Sequence, residues 1–234
     1  MDSGSLTSQR DRLRLGQFLV KLTNGKPVEY YAQHIKNLAI FGVFSQNEVI
    51  NRILGICGAG VENLVLLVSA RGLDFFENIQ AGRNLHRLTI HLGMFFQPGS
   101  TANFYHPCFA NVTHLHLWDG EGNWPTYAGW ETLTSLTHLA FAFAVPEKIM
   151  EIMRILPTVR YVAIGRYNGS TWYRYAEAAI DDSPHGRERF GARTVLFSSI
   201  PQNDLERGAR GEGDFWDLVE EEVERRRLKE GSGN

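Results

Sequence analysis

The sequence predicts an α/β fold built as a solenoid, with short parallel strands stacked along a curved sheet and helices or loops covering its convex side. The apolar pattern of residues 112–117 returns at residues 136–141. The same apolar-x-x-apolar-x-apolar spacing occurs six times, at intervals of 23 to 27 residues, starting at Ile35, Val61, Leu85, Val112, Leu136 and Val159. Such a period is typical of stacked repeats, because one short unit cannot bury its own apolar face.

Each copy supplies three phased apolar residues, as Val112, Leu115 and Leu117 do in the fourth. The intervals lie within the range of about 20–29 residues that leucine-rich repeats show. A looser seventh copy, Val195 to Phe197, follows a long connection. The predicted strands must be parallel where each connection crosses back through a helix.

Helical signals separate several of the strands. An apolar stripe at residues 49–54 ends at Gly55 and Gly58, and residues 74–80 predict a shorter helical turn. Pro146 opens another helix, and Pro157 stops it. The glycines of residues 55–60 follow a helix and precede a strand, which is the reverse of the order that a nucleotide-binding loop requires.

We divide the chain into an N-terminal segment and cap (1–34), a leucine-rich-repeat-like solenoid (35–200) and a C-terminal capping helix with its tail (201–234). Residues 13–22 with Tyr30 and Tyr31 are apolar enough to seal the first repeat. Asp214 is a suitable N-cap for a helix that we expect to seal the last repeat. A closed βα barrel is the competing architecture, but it needs eight strands.

Composition and charge exclude several classes of protein. A hydrophobic fraction of 43% and a net charge of −2 are those of an ordinary globular chain with no general attraction to nucleic acid or anionic membranes. No apolar run approaches the length of a membrane span, and the start of the chain has no signal-peptide core. Cys57 and Cys108 lack metal-site spacing. We therefore expect an intracellular protein, cytoplasmic or nuclear.

The residues between the apolar positions of each strand share the opposite face of the sheet, because side chains alternate along a strand. This concave face is the usual binding surface of solenoids. Its middle is rich in the aromatic and cationic side chains that dominate protein interfaces. We predict seven partner-binding residues: Arg87, His91, His114, His116, Trp118, His138 and Tyr161. Small neighbours such as Ala140 and Ala163 leave room either for a partner or for an internal segment, such as the 169–192 connection.

Three histidines lie close together on this predicted face. His114 and His138 occupy the same slot of adjacent repeats, and His116 lies two residues along from His114. Three imidazoles could hold zinc, which would indicate a metal-dependent hydrolase, or could form a protonation-sensitive patch. Packed histidines are the simpler interpretation, because no carboxylate or thiol lies near them on this face. We expect no metal, no cofactor and no catalytic residue.

The chain resembles a group of leucine-rich-repeat-like proteins from mushroom-forming fungi. Residues 34–40, 49–54, 61–64, 109–115 and 136–141 carry the likeness, together with residues 206–210 and 214–216 near the end. Many members of that group look like F-box proteins, in which an N-terminal helical module recruits a ubiquitin-ligase adaptor and the repeats hold a substrate. The Leu-Pro-x-Glu opening of that module does not occur before the first repeat.

These observations favour a non-enzymatic protein-interaction scaffold that presents the concave face to an unidentified protein. The alternative that the resemblance implies is the substrate-recognition arm of an F-box-type ubiquitin ligase, whose partner would be the ligase adaptor.

Overall fold

The computed structural model describes residues 3–42, 47–68, 74–79, 84–96, 100–120, 124–142, 146–165, 193–197, 202–209 and 212–231. The 169–192 connection, which is one of the two alternatives for the space on the concave face, lies outside these residues. Among the described residues, every strand belongs to a single sheet.

The sheet has seven parallel strands, and their spatial order is their order along the chain. They are β1 (Asn37–Gly42), β2 (Asn63–Val68), β3 (Arg87–Ile90), β4 (His114–Leu117), β5 (His138–Phe141), β6 (Tyr161–Gly165) and β7 (Thr194–Phe197). The predictions of an α/β chain and of parallel strands are confirmed. The sheet is open, with β1 and β7 at its edges, so the described residues do not form the competing closed barrel.

The strands pair in the register that the sequence pattern predicts. One row of apolar residues runs across the sheet through Leu64, Leu88, Leu115, Leu139 and Val162. A second row lies two residues further along each strand, and both rows are buried in the same core. Each strand is too short to form a sheet alone, so its stability depends on the rows that its neighbours complete.

Helices in the connections cover this apolar face of the sheet. They are α3 (Asn47–Cys57), α4 (Phe75–Asn78) and α5 (Pro146–Ile155), and they bring side chains such as Ile53, Phe75 and Ile149 into the core. The two connections between β3 and β5 are irregular, with short 3₁₀ turns. Pro146 begins α5 as the sequence indicates, because proline fits the first turn of a helix.

Helices α1 (Ser3–Asn24) and α2 (Val28–His34) pack beside α3 at the β1 edge. Leu19 and Leu22 of α1 are buried there, whereas Leu13 is 62% exposed. The chain approaches α2 closely at Gly60, where a Cβ atom would overlap the carbonyl oxygen of Ala32. Close backbone packing is therefore the role of this glycine.

Helices α6 (Gln202–Ala209) and α7 (Phe215–Gly231) lie on the opposite face of the sheet. Asp214 caps α7, because its Oδ1 accepts a hydrogen bond from the backbone N–H of Trp216 at 2.9 Å. We expected α7 to seal the last repeat; it contacts β6 and β7, and its further contacts reach back across the sheet to β3. The central row of this face carries Val65, Ala140, Ala163 and Val195, and burying these apolar residues requires a cover.

Candidate functional site

A row of polar and aromatic side chains crosses the face of the sheet that α7 covers. Strand pairing aligns six positions, one from each of the first six strands. In order they are Asn37, Asn63, Arg87, His114, His138 and Tyr161. We call these residues the polar row. Four of the seven predicted partner-binding residues belong to it: Arg87, His114, His138 and Tyr161.

The rings of the polar row form a continuous stack. His114 and His138 lie face to face, with ring centroids 3.8 Å apart, and Tyr161 stacks on the other side of His138 at 4.5 Å. At the β1 end the side-chain amide of Asn63 donates a hydrogen bond to Asn37. Neighbouring parallel strands hold these side chains at the spacing that stacking requires.

Helix α7 presents one stripe of side chains to the polar row. Trp216 meets the rings of His114 and His138 edge to face, with centroids 5.5 and 5.4 Å away. Glu220 lies one helical turn further, with its Oε1 at 3.0 Å from His138 Nε2. After another turn, Glu224 Oε1 accepts a hydrogen bond of 3.1 Å from the Tyr161 hydroxyl. The spacing of four residues keeps all three side chains on one side of the helix.

Cationic side chains add further contacts between α7 and the sheet. Arg87 Nη1 lies 3.2 Å from Asp214 Oδ2, at the start of α7. The guanidinium of Arg227 lies over the Tyr161 ring, 5.6 Å from its centroid, and Arg227 also pairs with Glu224. Anionic groups of α7 therefore face cationic or neutral donor groups of the sheet.

Burial keeps the histidines of this face neutral. It is the largest cause that lowers the pKa of His114 to about 2, and the nearby charges of His138, Arg87 and His86 lower it further. Burial likewise lowers the pKa of His138 to about 4, with smaller contributions from Arg87 and Arg160. Desolvation raises the pKa of the Glu220 carboxyl above its ordinary value, and the neighbouring carboxylates add to this rise.

His116 lies one row further along the strands, between Thr89 and Ala140. Its side chain is fully buried, and its ring contacts Trp118 and Phe215 at centroid distances of 5.4 and 5.3 Å. Neither ring nitrogen has a hydrogen-bond partner among the described residues. Burial lowers its pKa to about 3. His116 is thus a packed residue under α7, which matches the simpler interpretation of the histidines.

The two remaining predicted residues, His91 and Trp118, follow the ends of β3 and β4. His91 Nε2 lies 3.8 Å from Oδ1 of Asp119, a fully buried carboxylate. Asp119 accepts hydrogen bonds from the backbone N–H groups of Leu92 (2.8 Å) and Gly93 (2.7 Å) and from the Tyr127 hydroxyl (2.6 Å). Asp119 therefore joins the β3–β4 connection to the β4–β5 connection through hydrogen bonds.

The structure brings a possible metal-ligand set together that differs from the three histidines of the sequence hypothesis. One nitrogen each of His114 and His138 and one carboxylate oxygen of Glu220 lie within 4.8 Å of one another. Glu220 takes the place that the hypothesis gave to His116. Among the described residues, His114, His138 and Glu220 form the one group of three or more His, Cys, Asp or Glu side chains that could hold a metal ion together.

Sequence reasoning missed the residues that α7 and the connections add to this face. Glu220, Glu224 and Asp119 were not candidates. The four-residue spacing of Trp216, Glu220 and Glu224 is a signal for the first two, because it places acidic side chains beside an apolar anchor on one helix face. No signal in the sequence indicates that Asp119 gathers three donors.

Comparisons of the chain with models of known families, with curated proteins and with solved structures found no match. The resemblance to fungal repeat proteins therefore stays a prediction from the sequence, and the proposals below depend on the geometry of the face under α7. None of the helices in the described part of the chain is both long and apolar enough to cross a membrane.

Proposed function

We propose that this chain is a non-enzymatic protein-interaction scaffold, a leucine-rich-repeat-like solenoid whose polar row binds an acidic amphipathic helix of a partner protein. In the structure α7 of the same chain occupies that position. A partner helix with a similar stripe would take the place of α7. The observation that carries the proposal is the pairing of the polar row with an aromatic anchor and two acidic residues of α7 and with Asp214, which caps it.

The contacts between α7 and the sheet have the composition of a protein interface. Trp216 is 3% exposed and lies against two histidine rings, and Phe215 is 1% exposed. Buried tryptophan anchors of this kind contribute most of the binding energy of typical interfaces. Each surrounding charge pair has one partly exposed partner, which is Arg87 in its pair with the nearly buried Asp214, so solvent screening weakens these pairs. Their contribution is orientation, because they specify which side of a helix faces the sheet.

The two faces of the sheet differ in a way that favours exchange of α7 rather than of the other helices. Helices α3, α4 and α5 lie in the connections between consecutive strands, and they share one continuous apolar core with the sheet. Helix α7 is joined to the sheet by a smaller apolar cluster and by polar contacts. It also follows the last strand, so its release would leave the strand order intact.

A labelled peptide of residues 212–231 tests whether the polar row can bind a helix in trans. The full-length chain with Trp216→Ala should bind this peptide at least about tenfold more tightly than the wild-type chain does. Truncating a buried tryptophan costs about 3–5 kcal/mol, so the substitution weakens the intramolecular competitor. Fluorescence anisotropy measures the affinity, and circular dichroism checks that the variant is folded.

Leu218→Ala is the matched control, because Leu218 lies on the same helix and is 52% exposed. This variant should bind the peptide as weakly as the wild type does. A peptide that itself carries Trp216→Ala should not bind the opened variant. Equal peptide binding by the folded Trp216→Ala chain and the wild type would contradict the proposal.

A further inference from the structure

Three potential ligand atoms converge where α7 crosses β4 and β5. His114 and His138 sit side by side on neighbouring strands, and Glu220 approaches them from the helix. One ligand atom from each of the three lies within 4.8 Å of the others. The residues are 24 and 82 positions apart in the chain for the pairs His114–His138 and His138–Glu220, so only the fold brings them together.

One of these atoms lacks a hydrogen-bond partner. His114 Nε2 is buried and has none among the described residues. A buried polar atom without a partner costs about 1–3 kcal/mol, so a native structure normally supplies one. Next to it, His138 Nε2 contacts the Glu220 carboxylate at 3.0 Å. A cation placed among the three atoms would satisfy the unpaired nitrogen and the carboxylate together.

The other nitrogen of each histidine is held by a threonine. His114 Nδ1 lies 2.9 Å from Thr113 Oγ1, and His138 Nδ1 lies 2.7 Å from Thr137 Oγ1. Each threonine hydroxyl is also within hydrogen-bond distance of a backbone carbonyl, those of His86 and Thr113. When the hydroxyl donates to the carbonyl, it accepts from the Nδ1–H group. Both Nε2 atoms then carry free lone pairs, which is the arrangement that metal-binding histidines require.

Charges of both signs surround the three groups. The carboxylates of Asp217, Asp214 and Glu224 lie near Glu220, and the guanidinium of Arg87 lies near Glu220 and both histidines. The charge of Arg87 is matched by its contact with Asp214.

We propose that His114 Nε2, His138 Nε2 and a carboxylate oxygen of Glu220 bind a zinc ion that fastens α7 to strands β4 and β5. Two imidazoles with one carboxylate form a recognised zinc ligand set, with a fourth position for water. Ligand atoms around tetrahedral zinc lie about 3.3 Å apart, given bond lengths of about 2.0–2.2 Å. The rings of His114 and His138 stack face to face 3.8 Å apart, so both rings must turn for their Nε2 lone pairs to converge on one ion, and the 44% exposed Glu220 side chain must approach them.

The two cysteines of the chain do not compete for this ion. Both are buried, and burial raises the pKa of Cys57 to about 11 and that of Cys108 to about 12. Zinc binding at either side chain would require loss of the thiol proton in a buried site.

Calorimetric titration of the metal-stripped, full-length chain with ZnCl₂ at pH 7.5 tests the site. We expect one zinc ion per chain and a melting temperature that rises with zinc concentration, because an ion that binds only the folded state stabilises it. His114→Gln and Glu220→Gln should each weaken zinc binding by at least about tenfold, since loss of even a supporting residue costs about 10–100-fold. Glu220→Gln changes a partly exposed side chain, so it remains informative if His114→Gln fails to fold.

Two control variants distinguish this site from adventitious binding. Glu221→Gln alters the adjacent exposed carboxylate of α7, and His34→Gln removes an exposed histidine of α2. Both should bind zinc as the wild type does. The proposal is overturned if the wild type binds no zinc, which would leave His138 and Glu220 as a simple pair. It is overturned equally if His114→Gln and Glu220→Gln bind zinc with wild-type affinity. The measurement requires no partner, so its failure would leave the scaffold proposal untouched.

Discussion

Replacing His116 with leucine is expected to stabilise the chain at every pH and to remove part of its sensitivity to acid. At pH 7.5 we expect the His116→Leu variant to gain about 1–2 kcal/mol in the free energy of unfolding. The wild-type imidazole is fully buried, and neither of its nitrogens has a hydrogen-bond partner among the described residues. Such atoms cost about 1–3 kcal/mol, and leucine fills a similar volume without them.

The gain should increase as the pH falls. Burial lowers the pKa of His116 to about 3, whereas an unfolded chain has a histidine pKa of about 6.5. The unfolded state therefore binds more protons between these two values, and stability is lost as the pH falls below about 6.5. By pH 5 this linkage costs the wild type about 2 kcal/mol that the variant does not lose.

Urea unfolding at pH 7.5 and pH 5 measures both parts of this prediction. The comparison with the variant is essential, because burial raises the pKa values of Asp119, Asp214 and Glu220, and these groups act in the opposite direction. Thr89→Val is the matched control, since Thr89 neighbours His116 in the same row and does not titrate. Identical pH dependence in the wild type and His116→Leu would show that His116 is not buried as described.

Removing the Asp119 carboxylate is expected to cost at least about 3 kcal/mol. Asp119→Ala would leave two backbone N–H groups and the Tyr127 hydroxyl without their acceptor. Each buried group that loses its partner costs about 1–3 kcal/mol. Thermal or urea unfolding at neutral pH measures the loss.

A graded series makes the Asp119 prediction more specific. Tyr127→Phe removes one of the three donors and leaves the carboxylate with two, so it should cost about 1 kcal/mol. His91→Ala should have a smaller effect, because His91 lies 3.8 Å from the carboxylate and is 30% exposed. If Asp119→Ala and Tyr127→Phe have equal costs, the backbone N–H groups do not depend on Asp119.

The arrangement of strands could be predicted from the sequence because each strand repeats one apolar pattern. The side chains of Leu88, Leu115 and Leu139 occupy equivalent positions in that pattern, and the structure pairs them in one row. The same periodicity predicted that Arg87, His114, His138 and Tyr161 would share the other face. Such a local pattern can be recognised in the sequence because each repeat buries the same surface against its neighbours.

The position of α7 could not be predicted from the same information. Its apolar residues, such as Phe215 and Val219, indicate that the helix is buried but not against which surface. From the sequence we expected α7 at the open end of the last repeat rather than on the face with the polar row. The structure favours the face, where Val65, Ala140 and Ala163 also need cover. Contacts between segments so far apart in the chain leave no periodic signal.

The central claim is that α7 lies across the polar row, and nuclear Overhauser contacts between aromatic side chains test it most directly. The indole of Trp216 should show cross-peaks to the ring protons of both His114 and His138, because the ring centroids lie 5.5 and 5.4 Å apart. Assigned spectra of the folded chain in which Trp216 contacts neither histidine would contradict the claim.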